Sequence, residues 1–114
     1  MPNQTNRLAK KKDFTRVFKQ GKSLYGKFLG VKVFSNQLAK SRYGIIISAK
    51  VSKKAVERNK LKRQISRIVN ELDLSLLQPV DAAIVVLPEA LGKTYVELEG
   101  EAERLFRGLK LIGR

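Results

Sequence analysis

The sequence predicts an α+β fold, a two-layer sandwich in which helices cover one layer of strands. Apolar residues recur at helical spacing near both ends and in the middle of the chain, and the segments between have the patterns of strands. The predicted order is α–β–β–α–β–α, which becomes αβββαβα if the first β region is bent into two strands. The chain has 114 residues, 43% of them hydrophobic, which is the size of one domain with one core. We find no repeats or linkers, so residues 1–114 are predicted to form a single domain.

The N-terminal region combines a basic segment with a short helix. We expect residues 1–12, which are polar and basic, to be partly flexible and only partly anchored. Asp13 is predicted to cap the helix and Gly21 to end it. The apolar residues of this helix lie on one side: Phe14, Val17 and Phe18.

Three segments have the pattern of strands. Residues 25–34 alternate between two faces, whereas residues 43–51 are apolar on both faces and are predicted to be central in the sheet. Residues 80–87 form a further predicted strand, closed by Pro88. A helix connects the last two, which predicts a βαβ crossover with parallel strands, and general statistics favour the right-handed form. In the first segment, one face holds Leu29, Val31 and Val33, and the other holds Phe28, Gly30, Lys32 and Phe34.

The middle helix is the longest, and it is predicted to run to about Leu72. Ser52 has the character of an N-cap, and Val51 and Val56 have the spacing of a hydrophobic staple. The apolar stripe of this helix consists of Leu61, Ile65, Ile68 and Leu72.

The last helix begins with a T-x-x-E capping box formed by Thr94 and Glu97. Four glutamates lie near its start, where negative charge favours the helix dipole. Pairs of them could hold Mg²⁺, but we interpret the group as solvated. Asp81 lies in an apolar strand, where it could cap a neighbouring element or border a groove. The apolar side of the helix consists of Leu98, Ala102, Leu105, Phe106, Leu109 and Ile112.

Positive charge is concentrated in the first 67 residues. The net charge of the chain is +14, with +17 on residues 1–67 and −3 on residues 68–114. A helix that buries one side and displays cations on the other is suited to a polyanion, and nucleic acid is the first candidate. The alternative is a solvated charged face without a function.

The helical wheel separates one arginine from the other cations of the middle helix. Arg58 falls near the apolar stripe, one turn before Leu61, so we expect it at the border between helix and sheet. The opposite side holds Lys60, Arg63 and Arg67, with Lys53 and Lys54 extending this stripe toward the N-terminus and Asn59 beside it.

A second candidate surface lies between the first helix and the sheet. Phe14 and Phe18 are either core residues or one wall of a cleft whose other wall is the face with Phe28, Lys32 and Phe34. Aromatic rings beside cations suit single-stranded nucleic acid, because bases stack on rings and lysine contacts phosphate.

Several classes of protein are disfavoured by the composition. The chain contains no Cys and no His, which excludes disulfides, thiolate chemistry, the usual zinc sites and histidine acid–base catalysis. The longest apolar run, residues 82–87, is far too short to span a membrane. The N-terminus has no apolar region of a secretory signal. We therefore expect a cytoplasmic protein with no protein-borne active site.

The chain resembles the protein component of bacterial ribonuclease P along nearly its whole length. The most specific motif is AVERNKLKR, preceded about forty residues upstream by DFTRVFKQG. The other matching segments are RLAKKKDFTRVFKQGKS, GIIISAKV, DAAIVVLPEA and ERLFRGL.

The resemblance implies a function and a fold. In this family an RNA subunit is the catalyst, and the protein helps it to remove the 5′ leader of precursor tRNA. Mg²⁺ is held mainly by the RNA, and no residue of this chain is assigned as a metal ligand. The fold is of the ribosomal-protein-S5-domain-2-like type with a left-handed βαβ crossover, against the statistical default.

The resemblance also assigns residues to two partners, the catalytic RNA subunit and the precursor tRNA, with no membrane and no obligate protein partner. The residues assigned to the RNA subunit are Lys53, Lys54, Arg58, Asn59, Lys60, Lys62, Arg63 and Arg67. Those assigned to the 5′ leader are Phe14, Phe18, Phe28, Lys32 and Lys50.

The sequence departs from the family at three positions. Lys60 stands where arginine is frequent, so the charge is kept but bidentate hydrogen bonding is lost. Ser52 replaces a common glycine, and Val31 stands where the cleft strand often has an aromatic residue.

Other kinds of protein share some of these features. A ribosomal protein or a general RNA chaperone has the same size and charge. A DNA-binding module is disfavoured because no second short helix precedes the basic helix. A nuclease that works without RNA would need catalytic groups that we do not find.

Overall fold

The computed structural model describes residues 7–113, and the order αβββαβα is confirmed. A short 3₁₀ turn, Pro88–Ala90, follows the last strand. The helices are α1 (Lys11–Gln20), α2 (Ala55–Asp73) and α3 (Tyr95–Gly108), and the strands are β1 (Lys22–Tyr25), β2 (Leu29–Ser35), β3 (Arg42–Ile47) and β4 (Val80–Val86).

The four strands form one mixed sheet in the order β1-β2-β4-β3. The prediction that residues 43–51 are central in the sheet is wrong, because β3 is an end strand of this order; it is apolar on both faces because α1 covers one face and the main core the other. β1 pairs with β2 and β2 with β4 in antiparallel fashion. β3 and β4 are parallel, which confirms the predicted βαβ unit. The first β region is indeed two strands, joined by a turn at residues 26–28.

The crossover from β3 through α2 to β4 is left-handed. Leu87, directly after β4, donates its N–H to the carbonyl of Phe28, directly before β2. The backbone groups of odd-numbered residues in β4 therefore point toward β2, and those of even-numbered residues point toward β3. Those residues are the ones that pack beneath α2, namely Ala82, Ile84 and Val86. For L-residues this arrangement places β4 to the left of β3 when the sheet is viewed from α2 with both strands pointing upward. The right-handed default was therefore wrong, and the left-handed form implied by the resemblance is correct.

Apolar side chains cover the sheet on both faces. The main core lies between α2, α3 and one face, where Leu29, Val31 and Val33 are buried. α1 packs on the opposite face, where Leu8, Val17 and Ala83 form a smaller cluster. Because Tyr25 on that face is 49% exposed, α1 leaves part of the sheet open.

The N-terminal segment is anchored from residue 7 onward. Arg7 forms a bridge with Tyr43, and the N–H of Leu8 donates to the carbonyl of Tyr43 at 2.8 Å. Residues 7 and 8 are thus attached to β3, and α1 begins at Lys11. The partial flexibility of residues 1–12 stays a prediction, and residues 1–6 lie outside the described residues.

Two predicted helix signals have different roles in the structure. Asp13 is the third residue of α1, not its cap, and its side chain is buried. Gly21 does end α1, but in an extended conformation. It is needed for close approach, because a Cβ there would lie 2.4 Å from the carbonyl oxygens of Val17 and Val33.

α2 begins three residues later than Ser52, with Lys54 in the N-cap position and no side-chain cap. Ser52 accepts a hydrogen bond from the N–H of Lys54 and donates one to Glu57. The predicted staple is wrong, because Val56 is 79% exposed while Val51 is buried. The apolar stripe is confirmed, with Leu61, Ile65 and Ile68 buried and Leu72 partly buried.

The predicted capping box of α3 is present, with both hydrogen bonds between Thr94 and Glu97. These bonds lower the pKa of Glu97, the backbone N–H of Thr94 contributing most. Glu101 was expected in a solvated group, which is wrong. Its carboxylate is buried and accepts hydrogen bonds from the backbone N–H groups of Lys27, Phe28 and Leu29 at 3.0, 2.5 and 2.7 Å. One carboxylate of α3 thus fixes the turn between β1 and β2.

Candidate nucleic-acid interface

The basic face of α2 is exposed along its length. Its cations cannot turn inward, because the opposite side of the helix packs on the sheet through Leu61, Ile65 and Ile68. We call this surface the α2 face. Its exposed members are Lys53, Lys54, Asn59, Lys60, Lys62, Arg63 and Arg67.

Arg58 lies at the border between helix and sheet, as the wheel predicted. It is half-buried, and its Nη1 donates to the backbone carbonyl of Ser52 at 2.7 Å. A guanidinium has five N–H donors in a planar fork. Arg58 therefore fixes the segment before α2 with one donor and retains others for a phosphate.

Arg67, at the C-terminal end of the α2 face, has two partners within the chain. Its guanidinium carbon lies 5.5 Å from the ring centroid of Tyr95, and its Nε lies 3.8 Å from a carboxylate oxygen of Glu71. The ion pair with Glu71 is exposed on both sides, and exposed ion pairs contribute only about 0–1 kcal/mol. A phosphate could replace them at little cost.

The second surface lies between α1 and the sheet. Phe14 packs over Gly44, where a Cβ would lie 2.4 Å from its ring, so Phe14 mainly holds α1 on the sheet. Phe18, one turn later, is 47% exposed. The ammonium of Lys32 lies 5.2 Å from the centroid of the Phe18 ring. A cation and an accessible ring are thus side by side.

Tyr25 is a member of this surface that the sequence analysis missed. Lys32 Nζ lies 5.5 Å from the Tyr25 ring centroid, so the ammonium is flanked by two rings. The Tyr25 ring covers Gly30, where a Cβ would lie 2.3 Å from it. Tyr25 and Gly30 are directly paired across β1 and β2. This pairing could not be predicted from the sequence, because it depends on where the hairpin turns. We call Phe18, Tyr25 and Lys32 the ring–lysine cleft.

A network of buried charges attaches α1 to the sheet beside this cleft. Arg42 donates to both carboxylate oxygens of Asp81 at 2.9 and 2.6 Å and to Asp13 of α1 at 3.2 Å. Asn36 donates to Asp81 at 2.9 Å. The hydrogen bond with Asp81 raises the pKa of the Arg42 guanidinium. Asp81 is thus a fully buried hydrogen-bond acceptor at the centre of the network, and it does not border a groove.

Comparison with known proteins identifies the family. The family model described as ribonuclease P matches residues 1–110. The chain is 40% identical over 110 residues to the ribonuclease P protein component of Synechocystis sp., covering 96% of this chain and 89% of that protein. It is 32% identical to that of Clostridium acetobutylicum over 109 residues, covering 94% and 91%. The chain belongs to the ribonuclease P protein family.

Solved structures agree with this membership. The ribonuclease P protein of Staphylococcus aureus superposes with a TM-score of 0.86 at 26% identity, covering 95% of this chain and 98% of that one. The protein from Thermotoga maritima, solved with 1-(4-fluorophenyl)-2-thiourea, gives a TM-score of 0.78 at 30% identity, covering 94% and 100%. Membership connects the chain to ribonuclease P, an endoribonuclease of tRNA processing, and implies an RNA subunit as partner.

One expectation from the strand pattern and one from the family resemblance do not fit the structure. Phe28 does not share a face with Lys32, because the turn fixed by Glu101 directs its ring to the side of the main core. Val31 is not a cleft residue, since it is fully buried on that same side. The cleft positions of β2 are Gly30 and Lys32, and the ring comes from Tyr25 on the neighbouring strand.

Lys50, the remaining residue expected to contact the leader, lies in the turn after β3, where its side chain is exposed. Among residues 7–113, no group of three or more acidic, His or Cys side chains could hold a metal ion. No helix in this part of the chain is long and apolar enough to cross a membrane.

Proposed function

We propose that this chain is the protein subunit of ribonuclease P, acting in the cytoplasm. It binds the catalytic RNA subunit and the 5′ leader of precursor tRNA, and it assists the Mg²⁺-dependent removal of that leader. The observation that carries the proposal is the presence of two cationic surfaces on opposite faces of one sheet, the α2 face and the ring–lysine cleft. Such a protein can hold one RNA and keep a second surface free for a single strand.

The α2 face is the surface for the RNA subunit. Its cations stand on a helix that is fixed by its buried stripe, so their spacing is set before binding. Each phosphate that they neutralise releases counterions, and the affinity should fall steeply with salt. Arg58 and Arg63 offer planar donors for bidentate contact, whereas the lysines act as point charges.

The ring–lysine cleft is the surface for the leader. Exposed rings accept bases of any sequence, at about 1–3 kcal/mol per stacked base. Lys32 would exchange its contacts with Phe18 and Tyr25 for a backbone phosphate. A leader held in this way positions the precursor relative to the RNA subunit and raises the affinity for precursor over mature tRNA.

The magnesium of the reaction belongs to the RNA in this proposal. Among residues 7–113 no group of three or more acidic side chains could hold an ion, and the proposal assigns no metal ligand to the protein. The most buried glutamate of α3, Glu101, already accepts three backbone hydrogen bonds. The roles assigned to the protein are therefore binding and orientation, and the catalytic RNA carries out the cleavage.

Cleavage of precursor tRNA at low Mg²⁺ tests this function, with the RNA subunit alone, the protein alone, and both together. We expect cleavage at the 5′ end of the mature tRNA only when both are present. RNA binding without stimulation would instead indicate a ribosomal protein or a general RNA chaperone. Cleavage by the protein alone would contradict an RNA-borne active site.

A further inference from the structure

Phe28 lies in a hollow that is separate from the ring–lysine cleft. The hollow has a volume of about 540 Å³, and its lining includes Lys27, Phe28, Leu91 and Lys93. The ammonium of Lys93 lies 5.0 Å from the centroid of the Phe28 ring. An aromatic ring, an apolar wall and two lysines therefore meet on the α2 side of the sheet.

The backbone of Phe28 is fixed by hydrogen bonds on both of its polar groups. The carboxylate of Glu101 accepts hydrogen bonds from its N–H and from those of both neighbours. Its carbonyl accepts a hydrogen bond from Leu87 at 2.9 Å. Because the backbone is fixed before binding, only the side-chain torsions of Phe28 lose freedom when a ligand stacks on the ring.

This hollow is continuous with the α2 face. A neighbouring groove of about 270 Å³ shares Leu91 and Lys93 with it and is lined on the other side by Lys60 and Gln64 of α2. Lys93 thus stands between the two hollows. An RNA strand that follows the cations of α2 past Lys60 would meet Lys93 and then Phe28.

We propose that Phe28, Lys93 and Lys27 form a binding site for an unpaired nucleotide of the RNA subunit, at the edge of its contact with α2. The base lies against Phe28 and Leu91, and Lys93 leaves the ring to contact the phosphate. A cation–π contact at an exposed site is weaker than base–aromatic stacking, so the exchange is favourable. Glu89, which also lines the hollow, keeps a second phosphate away. This site rests on the proposed function of the α2 face.

Photocrosslinking in the assembled holoenzyme tests the site. Phe28→p-benzoylphenylalanine is combined with labelled RNA subunit in one arm and labelled precursor tRNA in the other. We expect a crosslink to an unpaired nucleotide of the RNA subunit. A crosslink to the leader, or none to either RNA, would overturn the proposal.

Affinity for the RNA subunit provides the second measurement. Phe28→Leu keeps the apolar contact with the core but removes the ring, and we expect about 5- to 100-fold weaker binding, restored in Phe28→Tyr. Lys93→Ala should also weaken binding, whereas Lys40→Ala, at the opposite end of the sheet, should not. If wild-type protein binds and Arg63→Ala weakens binding but Phe28→Leu does not, the site is wrong while the proposed function stands. If wild-type protein does not bind the RNA subunit, the proposed function itself fails.

Discussion

The α2 face and the ring–lysine cleft are built in different ways. The α2 face comes from one continuous helix, and a single helical period sets both its buried stripe and its exposed cations. The cleft takes Phe18 from α1, Tyr25 from β1 and Lys32 from β2. The α2 face forms whenever α2 packs on the sheet. The ring–lysine cleft forms only when α1 and the β1–β2 hairpin are positioned correctly relative to each other.

Arg42→Ala should have the largest effect, because it leaves the buried carboxylates of Asp13 and Asp81 without their cation. Removing one partner of a buried pair typically costs 3–5 kcal/mol. We expect the lower value, about 3 kcal/mol, since the Arg42 side chain is 23% exposed. Urea unfolding measures this loss. Arg67→Ala, which breaks an exposed pair, is the control and should change the free energy of unfolding by about 1 kcal/mol or less.

The same variant separates the two surfaces. Where Arg42→Ala is still folded, its affinity for leader-containing precursor should fall more than its affinity for the RNA subunit, because α1 loses its ion pair with the sheet. Equal losses in both affinities would show that the two surfaces are not independent.

Tyr25→Ala should have the next largest effect, confined to the leader. Loss of one stacking ring is expected to weaken binding of precursor tRNA by about 1–3 kcal/mol and to leave leaderless substrate unchanged. Tyr25→Phe keeps the ring and should bind like wild type. Gly30→Ala should act in the same direction as Tyr25→Ala, because the new Cβ would displace the ring. If the dissociation constant for leader-containing precursor tRNA is unchanged in Tyr25→Ala, Tyr25 does not contact the leader.

Arg63→Ala should have the smallest effect, and it should act on the RNA subunit. One exposed phosphate contact contributes on the order of 1 kcal/mol, and its loss should lower the slope of log affinity against log salt by about one. Binding of the protein to the RNA subunit at several salt concentrations measures both values. Lys40→Ala is the control, because it removes a cation outside the α2 face. If it lowers the slope of log affinity against log salt as much as Arg63→Ala does, the RNA subunit responds only to the net charge of the protein.

The difference between the surfaces also explains what could be predicted from sequence. The buried stripe of α2, the border position of Arg58 and the capping box of α3 follow from local spacing, and all three are confirmed. The cleft depends on contacts between distant segments. Tyr25 was missed and Phe28 misplaced because the turn between β1 and β2 is fixed by Glu101, more than seventy residues away.

The two polar residues that were wrongly predicted to cap helices have the same explanation, a contact with a distant or unexpected partner. Asp13 has the sequence position of a helix cap, but its carboxylate pairs with Arg42 on β3. Ser52 has the position of an N-cap, but α2 begins later, because the side chain of Ser52 bonds Glu57 and its carbonyl is held by Arg58. Local spacing identifies a polar residue that needs a partner, but the tertiary fold selects the partner.

The most direct test of the two-surface account is the affinity of the Phe18→Ala holoenzyme for precursor tRNA with and without its 5′ leader. Phe18 is exposed in the cleft and lies on the opposite side of the sheet from α2. We predict a loss of about 5- to 100-fold for the leader-containing substrate and no change for the leaderless one. Equal losses for both substrates would contradict the assignment of the cleft to the leader.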